Sequence, residues 1–331
     1  MTDTLNFQTL GNSSIKISKI GLGCMGLSEF YGQPATESEA STLIHHALDH
    51  GVNFFDTADM YGGGHNEKLL ATALKGRRDQ AVIATKFGIV REGNEYSREI
   101  CGKPEYVRKS CHDSLRRLGI DCIDLYYIHR IDVNTPIEET IGEMSRLIDE
   151  GKIKTIGLSE ASAATLRRAH AVHPVSALQS EYSMLTRDPE EEMLPLTKEL
   201  GITFVPYSPI CRGLLSTSKI AENDPNDVRK FLPRFQDGAY ENNKNIATQL
   251  STVAERKKCS LAQLSLAWVL AQGDNIIPIP GTTKIKNLDS NINAQQVELN
   301  RMDLAEIDSI LNQNEVKGER YTAEGMKGVS A

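Results

Sequence analysis

The chain has 331 residues, 24% charged and 40% hydrophobic, with a formal net charge of -7. It is long enough for two small domains or one large barrel, and its composition is that of an ordinary globular protein. The negative balance argues against nucleic acid as the main partner, and no apolar run approaches the roughly 20 residues of a membrane span, so neither partner is expected. The opening residues, MTDTLNFQTLG, lack a basic stretch followed by an apolar core, so no secretory leader is expected. Cys24, Cys101, Cys111, Cys122, Cys211 and Cys259 form no CxxC pair. They read as scattered reduced thiols of a cytoplasmic protein, with Cys24 and Cys211, in glycine-containing loops, the candidates for exposure.

In chain order, LNFQTLGNSSIKIS reads as a β-hairpin turning at Gly11-Asn12. Strand candidates follow at 18–23, 52–57, 81–86, 122–129, 154–159, 175–179, 202–207 and 275–280. They are mostly apolar rather than alternating, as parallel strands covered on both faces should be. Thr36-Glu-Ser-Glu39 is a capping box opening a helix that ends near Gly51. Further helices are predicted at about 66–75, 105–118, 137–150, 162–171, 189–200 and 284–293, with extra ones at 243–257, 260–272 and 303–313. Gly119, Gly151 and Gly201 each follow a helical run, the place of a glycine cap. Eight strands alternating with helices point to an α/β fold, a single (β/α)8 TIM barrel over 1–331 with an N-terminal hairpin and extra C-terminal helices. A doubly wound sheet has the same alternation, and periodicity alone does not separate the two.

Gly21-Leu-Gly23-Cys-Met-Gly26 matches GxGxxG after a strand, but Gly32 and Pro34 oppose the immediate helix a dinucleotide fingerprint requires. It reads better as a loop in which backbone approaches a ligand. The stronger signal is that Asp56, Lys86, His129, Ser159, Gln179 and Tyr207 each end a predicted strand. In a barrel those ends converge on the face that carries active sites. Each has a bland reading alone: a turn cap for Asp56, a satisfied core histidine for His129, a snorkelling Lys86. Six in succession outweigh coincidence. Tyr61 lies five residues past Asp56, before three glycines at 62–64. A tyrosine is a poor acid near neutrality, with a pKa of about 10. Lys86 beside it would lower that value, Asp56 would keep Lys86 charged, and His129 would bond the reacting oxygen. This chemistry needs no metal. The rival metal site, Asp56, Asp59, His65 and His129, would place Lys86 against the cation.

These segments together resemble the aldo-keto reductase superfamily. GLGCMGLSEFYG, NFFDTADMYGGGHNEKLL, VIATKFG, LRRLGIDCIDLYYIHR, EGKIKTIGLSE, LQSEYS, PYSPICRGLL and PIPGTTKIKNLDSNI recur in family order, and the tail GERY is similar to the pyridoxal reductase-like branch. The resemblance implies NADPH extended across the C-terminal face and a small carbonyl substrate. It implies Tyr61 as proton donor tuned by Lys86 and Asp56, with His129 orienting the carbonyl. Ser159 and Gln179 would bond the nicotinamide carboxamide and Tyr207 would stack on its ring. Gly23, Cys24 and Met25 would lie against the cofactor. Residues 208–219 would line the pyrophosphate, with Ser208, Gly213, Leu214 and Lys219 foremost. Gly281, Thr283, Lys284, Asn287 and Asn291 would hold the adenosine end. Glu160 departs from the asparagine of many members, and a carboxylate cannot donate to the carboxamide oxygen. Some such folds serve as regulatory subunits, which the complete Asp56/Tyr61/Lys86/His129 set disfavours. The substrate pocket is expected from loops 24–35, 87–103, 130–136 and 208–242 and the tail, with Met25, Phe30, Tyr31, Phe87, Arg130, Phe231, Arg234 and Phe235 as candidate lining. For Phe231 and Phe235, anchoring of the long loop is the preferred reading.

Overall fold

The structure, a computed structural model, describes residues 7–91, 99–217, 224–236 and 238–331. A hairpin of β1 (Phe7–Thr9) and β2 (Lys16–Ser18) precedes seven parallel strands paired in chain order. These are β3 (Leu22–Gly23), β4 (Phe54–Asp56), β5 (Val82–Phe87), β6 (Ile123–Ile128), β7 (Ile153–Ser159), β8 (Val175–Glu181) and β9 (Thr203–Tyr207). The hairpin loop is wider than a two-residue Gly-Asn turn, since the Leu10 amide reaches Ile15 O at 2.9 Å.

The predicted eighth strand is irregular, for a chemical reason. Pro278 and Pro280 have no N–H to give to a ladder. The segment still closes the barrel. Gly21 N donates to Pro278 O at 3.0 Å, Ile277 N to Phe204 O at 2.9 Å and Ile279 N to Pro206 O at 3.0 Å. Gly23 permits the approach, because a Cβ there would stand 2.7 Å from Ile279 O.

Around the barrel lie α1 (Glu37–Asp49), α2 (His65–Ala73), α3 (Pro104–Leu118), α4 (Ile137–Asp149), α5 (Ala163–Val172) and α6 (Met193–Glu199). After them come α7 (Ala239–Arg256), α8 (Leu261–Leu270), α9 (Ile285–Asn293) and α10 (Arg301–Gln313). The Thr36–Glu39 capping box is present, and further boxes start α8 at Ser260 and α10 at Asn300. Helix α6 starts later than predicted, because a separate 3-10 turn, Asp188–Glu190, occupies its first residues. Among the described residues no helix is long and apolar enough to cross a membrane.

Side-chain alternation then sorts the strands into two shells. Phe54, Val82, Ala84, Leu125, Tyr127, Ala177, Val205, Ile277 and Ile279 fill the barrel, with Leu10 and Ile17 of the hairpin. The hairpin caps the end where strands begin, since Gly11 N bonds Thr203 Oγ1 at 2.7 Å. Phe55, Ile83, Phe87, Tyr126, Ile156 and Phe204 face the helices instead. Continuing the inner parity by two residues along each strand gives Asp56, Lys86, His129, Gln179 and Tyr207, the open end of the barrel. Ser159 joins them by register, paired with Gln179.

Candidate active site

Register brings the first pair together. Asp56 stands opposite Ala84, and Lys86 is the next residue of β5 on that face. The Lys86 side chain is fully buried and Asp56 nearly so. An ammonium has three donors and burying one unpaired is prohibitive. Lys86 spends all three, on Asp56 Oδ1, on Thr57 O at 2.9 Å and on the Tyr61 hydroxyl at 3.3 Å. Gln179 Nε2 holds the other Asp56 oxygen at 2.7 Å. Burial pushes the Lys86 pKa down while the Asp56 charge opposes it, and burial pushes Asp56 up against the opposing Lys86 charge.

Tyr61 reaches Lys86 because the chain turns sharply after it. Gly62, Gly63 and Gly64 have φ of 57°, 60° and 88°, a left-handed run that side chains rarely adopt. Asn66, unremarked in the sequence, is fully buried and pins this loop. It donates to Cys24 O and Ser28 Oγ, both at 2.8 Å, and accepts from Thr57 Oγ1 at 2.6 Å. Its only sequence signal is a polar residue on the buried face of α2. The Tyr61 ring meets His129 edge-on, centroids 5.8 Å apart. Burial, and then the charges of Lys86 and Arg130, hold the His129 pKa well below the ordinary histidine range. Its Nδ1 is buried with no partner.

The remaining candidates are placed as follows. Ser159 Oγ accepts from Arg130 Nη1 at 3.4 Å, and the Tyr207 hydroxyl meets the Tyr321 hydroxyl at 3.0 Å. The loop after β9 bends through positive φ at Ser208, Cys211, Arg212 and Gly213 (50°, 48°, 53° and 95°). Non-glycine residues in that region concentrate at ligand sites. The Gly213 and Leu214 amides, however, bond Ile210 O and Cys211 O within the loop, each at 3.0 Å. Gly281, Thr283, Lys284 and Asn287 are at the surface, and Asn291 is buried. Met25 is half-buried beside Tyr61. Lys219 lies outside the described residues.

Several expectations need correction. Cys24 and Cys211 are buried rather than exposed. The Cys24 thiol turns to Leu22 O at 3.5 Å and its amide bonds Asp56 O, whereas its neighbours Gly23 and Met25 are half-buried. Phe87 has the outward parity and stacks on Tyr126, centroids 4.8 Å apart, so it lines no pocket. Phe235 anchors its loop against Tyr240, whereas Phe231 is exposed. Arg234 bonds Thr186 Oγ1 at 2.5 Å and Gly318 O at 3.2 Å, a tie to the tail.

Glu160 finds its partner in that tail. Arg320 Nη1 lies 3.2 Å from Glu160 Oε1, and the Glu181 amide donates to the same oxygen at 2.9 Å. Glu160 also has φ of 54°, a conformation in which asparagine is enriched.

The only group of three His, Cys, Asp or Glu side chains close enough to share an ion, among the described residues, is His46, His50 and Asp289, away from this site. At the site itself Lys86 already occupies the carboxylate a metal would need.

The chain was then compared with known proteins. A model of the Aldo/keto reductase family matches residues 19–312. The chain is 50% identical over 314 residues to the soybean (Glycine max) protein described as probable aldo-keto reductase 1, covering 94% of this chain and 90% of that protein. Its fold is similar to a glycerol dehydrogenase from Gluconobacter oxydans, with TM-score 0.83 and 27% identity over 94% of this chain and 96% of that one. It is also similar to the holo form of an aldo-keto reductase from Bacillus halodurans, with TM-score 0.80 and 29% identity over 95% of this chain and 98% of that one.

Proposed function

The chain belongs to the aldo/keto reductase family, and on that premise we propose that it is an NADPH-dependent aldehyde reductase with Tyr61 as proton donor. One observation carries the reading: the Lys86 ammonium bridges Asp56 and the Tyr61 hydroxyl. NADPH, when bound, supplies hydride to the carbonyl carbon. Tyr61 gives its proton to the carbonyl oxygen, and Lys86 beside it stabilises the tyrosinate left behind. His129, neutral through burial, offers one N–H to the same oxygen. With Nδ1 enclosed, Nε2 is the nitrogen that serves. Asp56 and Gln179 fix the ammonium.

The residues suit the cofactor. Ser159 and the Gln179 carbonyl would meet the carboxamide, Tyr207 the ring, and the strained 208–213 loop the pyrophosphate. Lys284, Thr283, Asn287 and Asn291 would take the adenosine end. The glycerol dehydrogenase likeness supports alcohol–carbonyl chemistry in this family. The test is NADPH consumption over a panel of aldehydes, ketones and pyridoxal, for the parent and Tyr61→Phe. The variant should lose nearly all turnover and still bind NADPH. Near-normal turnover by Tyr61→Phe would refute the tyrosine acid, and no turnover by the parent would refute the reductase.

A further inference from the structure

Buried guanidinium groups need a counter-charge. Around this mouth Arg212 has Glu181, Arg229 has Asp227, Arg234 has Glu181 and Arg320 has Glu160. Arg130 breaks the pattern. It is only 9% exposed, and among the described residues no carboxylate lies within ion-pair distance of it. Its bonds go to neutral acceptors, His129 O at 2.8 Å and Ser159 Oγ at 3.4 Å, both from Nη1. A guanidinium carries five N–H donors in a planar fork suited to a carboxylate. Glu160 is near enough to act on Arg130 electrostatically but is bonded to Arg320. The phenols of Tyr207, Tyr321 and Tyr61 also act on its charge. Its charge also bears on His129 and Lys86. The unpaired cation thus borders the proposed site through His129 and Ser159, while Met25, Phe30 and Ile89 pack against the cluster that holds Tyr61.

We infer that Arg130 is an anion-binding residue of the substrate pocket, and that the preferred substrates are carbonyl compounds carrying a carboxylate on an apolar body. One positive charge matches a singly charged carboxylate better than a doubly charged phosphate. The inference rests on the reductase reading above, and it names the substrate class of that site.

The experiment uses a matched pair, para-carboxybenzaldehyde and its methyl ester, with the full-length protein and NADPH. The parent should favour the acid in kcat/KM by about tenfold or more. Arg130→Gln should lose about ten- to a hundredfold more for the acid than for the ester, the size of a charge-assisted bond. Arg130→Lys should recover part of the preference, since it keeps the charge without the fork. Equal losses for acid and ester, or an equally large loss of NADPH affinity, would overturn the inference by placing Arg130 in the scaffold or on the cofactor. Benzoate titration by calorimetry, with benzamide as the neutral control, supplies a readout without turnover. Benzoate binding to the parent and not to Arg130→Gln, with neither aldehyde reduced, would sink the reductase reading and leave the anion site standing. Turnover of both aldehydes without charge preference would sink the anion site alone.

Discussion

Two ion pairs are buried at the same barrel mouth, and they are built differently. Lys86 and Asp56 come from neighbouring strands, so the ladder itself fixes their distance. Arg320 and Glu160 come from the tail and the loop after β7, and nothing in the barrel register joins them. The first pair contacts the Tyr61 hydroxyl, the proposed proton donor. The second holds the tail over the mouth, where Ser330 N bonds Glu160 O at 2.8 Å and Ser162 N bonds Ala331 O at 3.0 Å. Both pairs are buried, and on the proposed reading one serves chemistry and the other closure. The rim pair also brings Tyr321 onto Tyr207.

Breaking the first pair should have the largest effect. Lys86→Met removes the charge that favours the tyrosinate, so kcat/KM should fall by about 10²–10⁴-fold. Burial raises the Asp56 pKa, so the folded variant can hold Asp56 protonated, at a cost in stability at neutral pH where the unfolded chain releases that proton. Steady-state kinetics with circular dichroism decide it, and a loss under about tenfold would detach Lys86 from the proton step.

Breaking the second pair should act chiefly on stability. Arg320→Met leaves Glu160 buried with one backbone donor, which should cost about 3 kcal/mol of unfolding free energy. The loss in kcat/KM should be smaller than for Lys86→Met. Glu160→Asn sharpens the point, since asparagine suits a φ of 54° better than glutamate. Relief of left-handed strain is worth about 1–2 kcal/mol, less than the pair, so this variant should also be destabilised in urea titration. A more stable Glu160→Asn would show that strain outweighs the ion pair.

The same contrast explains what the sequence revealed. Asp56, Lys86 and His129 stand out because parallel strands covered on both faces are otherwise apolar, so a polar end is conspicuous. Their common parity was a property of the strands themselves. Phe87, one residue past Lys86, necessarily faces the helices, and strand parity alone would have excluded it from the pocket. The Glu160–Arg320 contact had no such local signature, because it depends on where the chain travels after α10. Arg130 was visible as a pocket candidate, but its lack of a carboxylate is a three-dimensional fact. The irregular eighth strand was readable in principle from Pro278 and Pro280, whose missing amides forbid a full ladder.

A charge with no partner among the described residues and open to water is the limiting case, and the smallest effect belongs there. Lys284 is the N-cap residue of α9 and is exposed. Thr282 Oγ1 accepts from its amide at 3.0 Å, which fixes the backbone as the helix begins. The first amides of a helix have no partners within it, and the helix dipole there favours an anion. NADPH differs from NADH only by the 2′-phosphate, so preference for it must come from donors or charge at that point. On the proposed reading Lys284 supplies the charge, and Lys286, two residues on, points to a different side of the helix. Water and salt weaken an exposed pair relative to the two buried ones. Lys284→Ala should therefore weaken NADPH binding by about tenfold, near the lower end expected for a charge-assisted bond. NADH binding should barely change, and the parent's preference for NADPH should shrink as salt rises. Fluorescence titration of both cofactors, for parent and variant at two salt concentrations, measures all of this. Equal losses for the two cofactors would show that Lys284 does not read the 2′-phosphate, and a salt-independent preference would place the reader among buried groups instead.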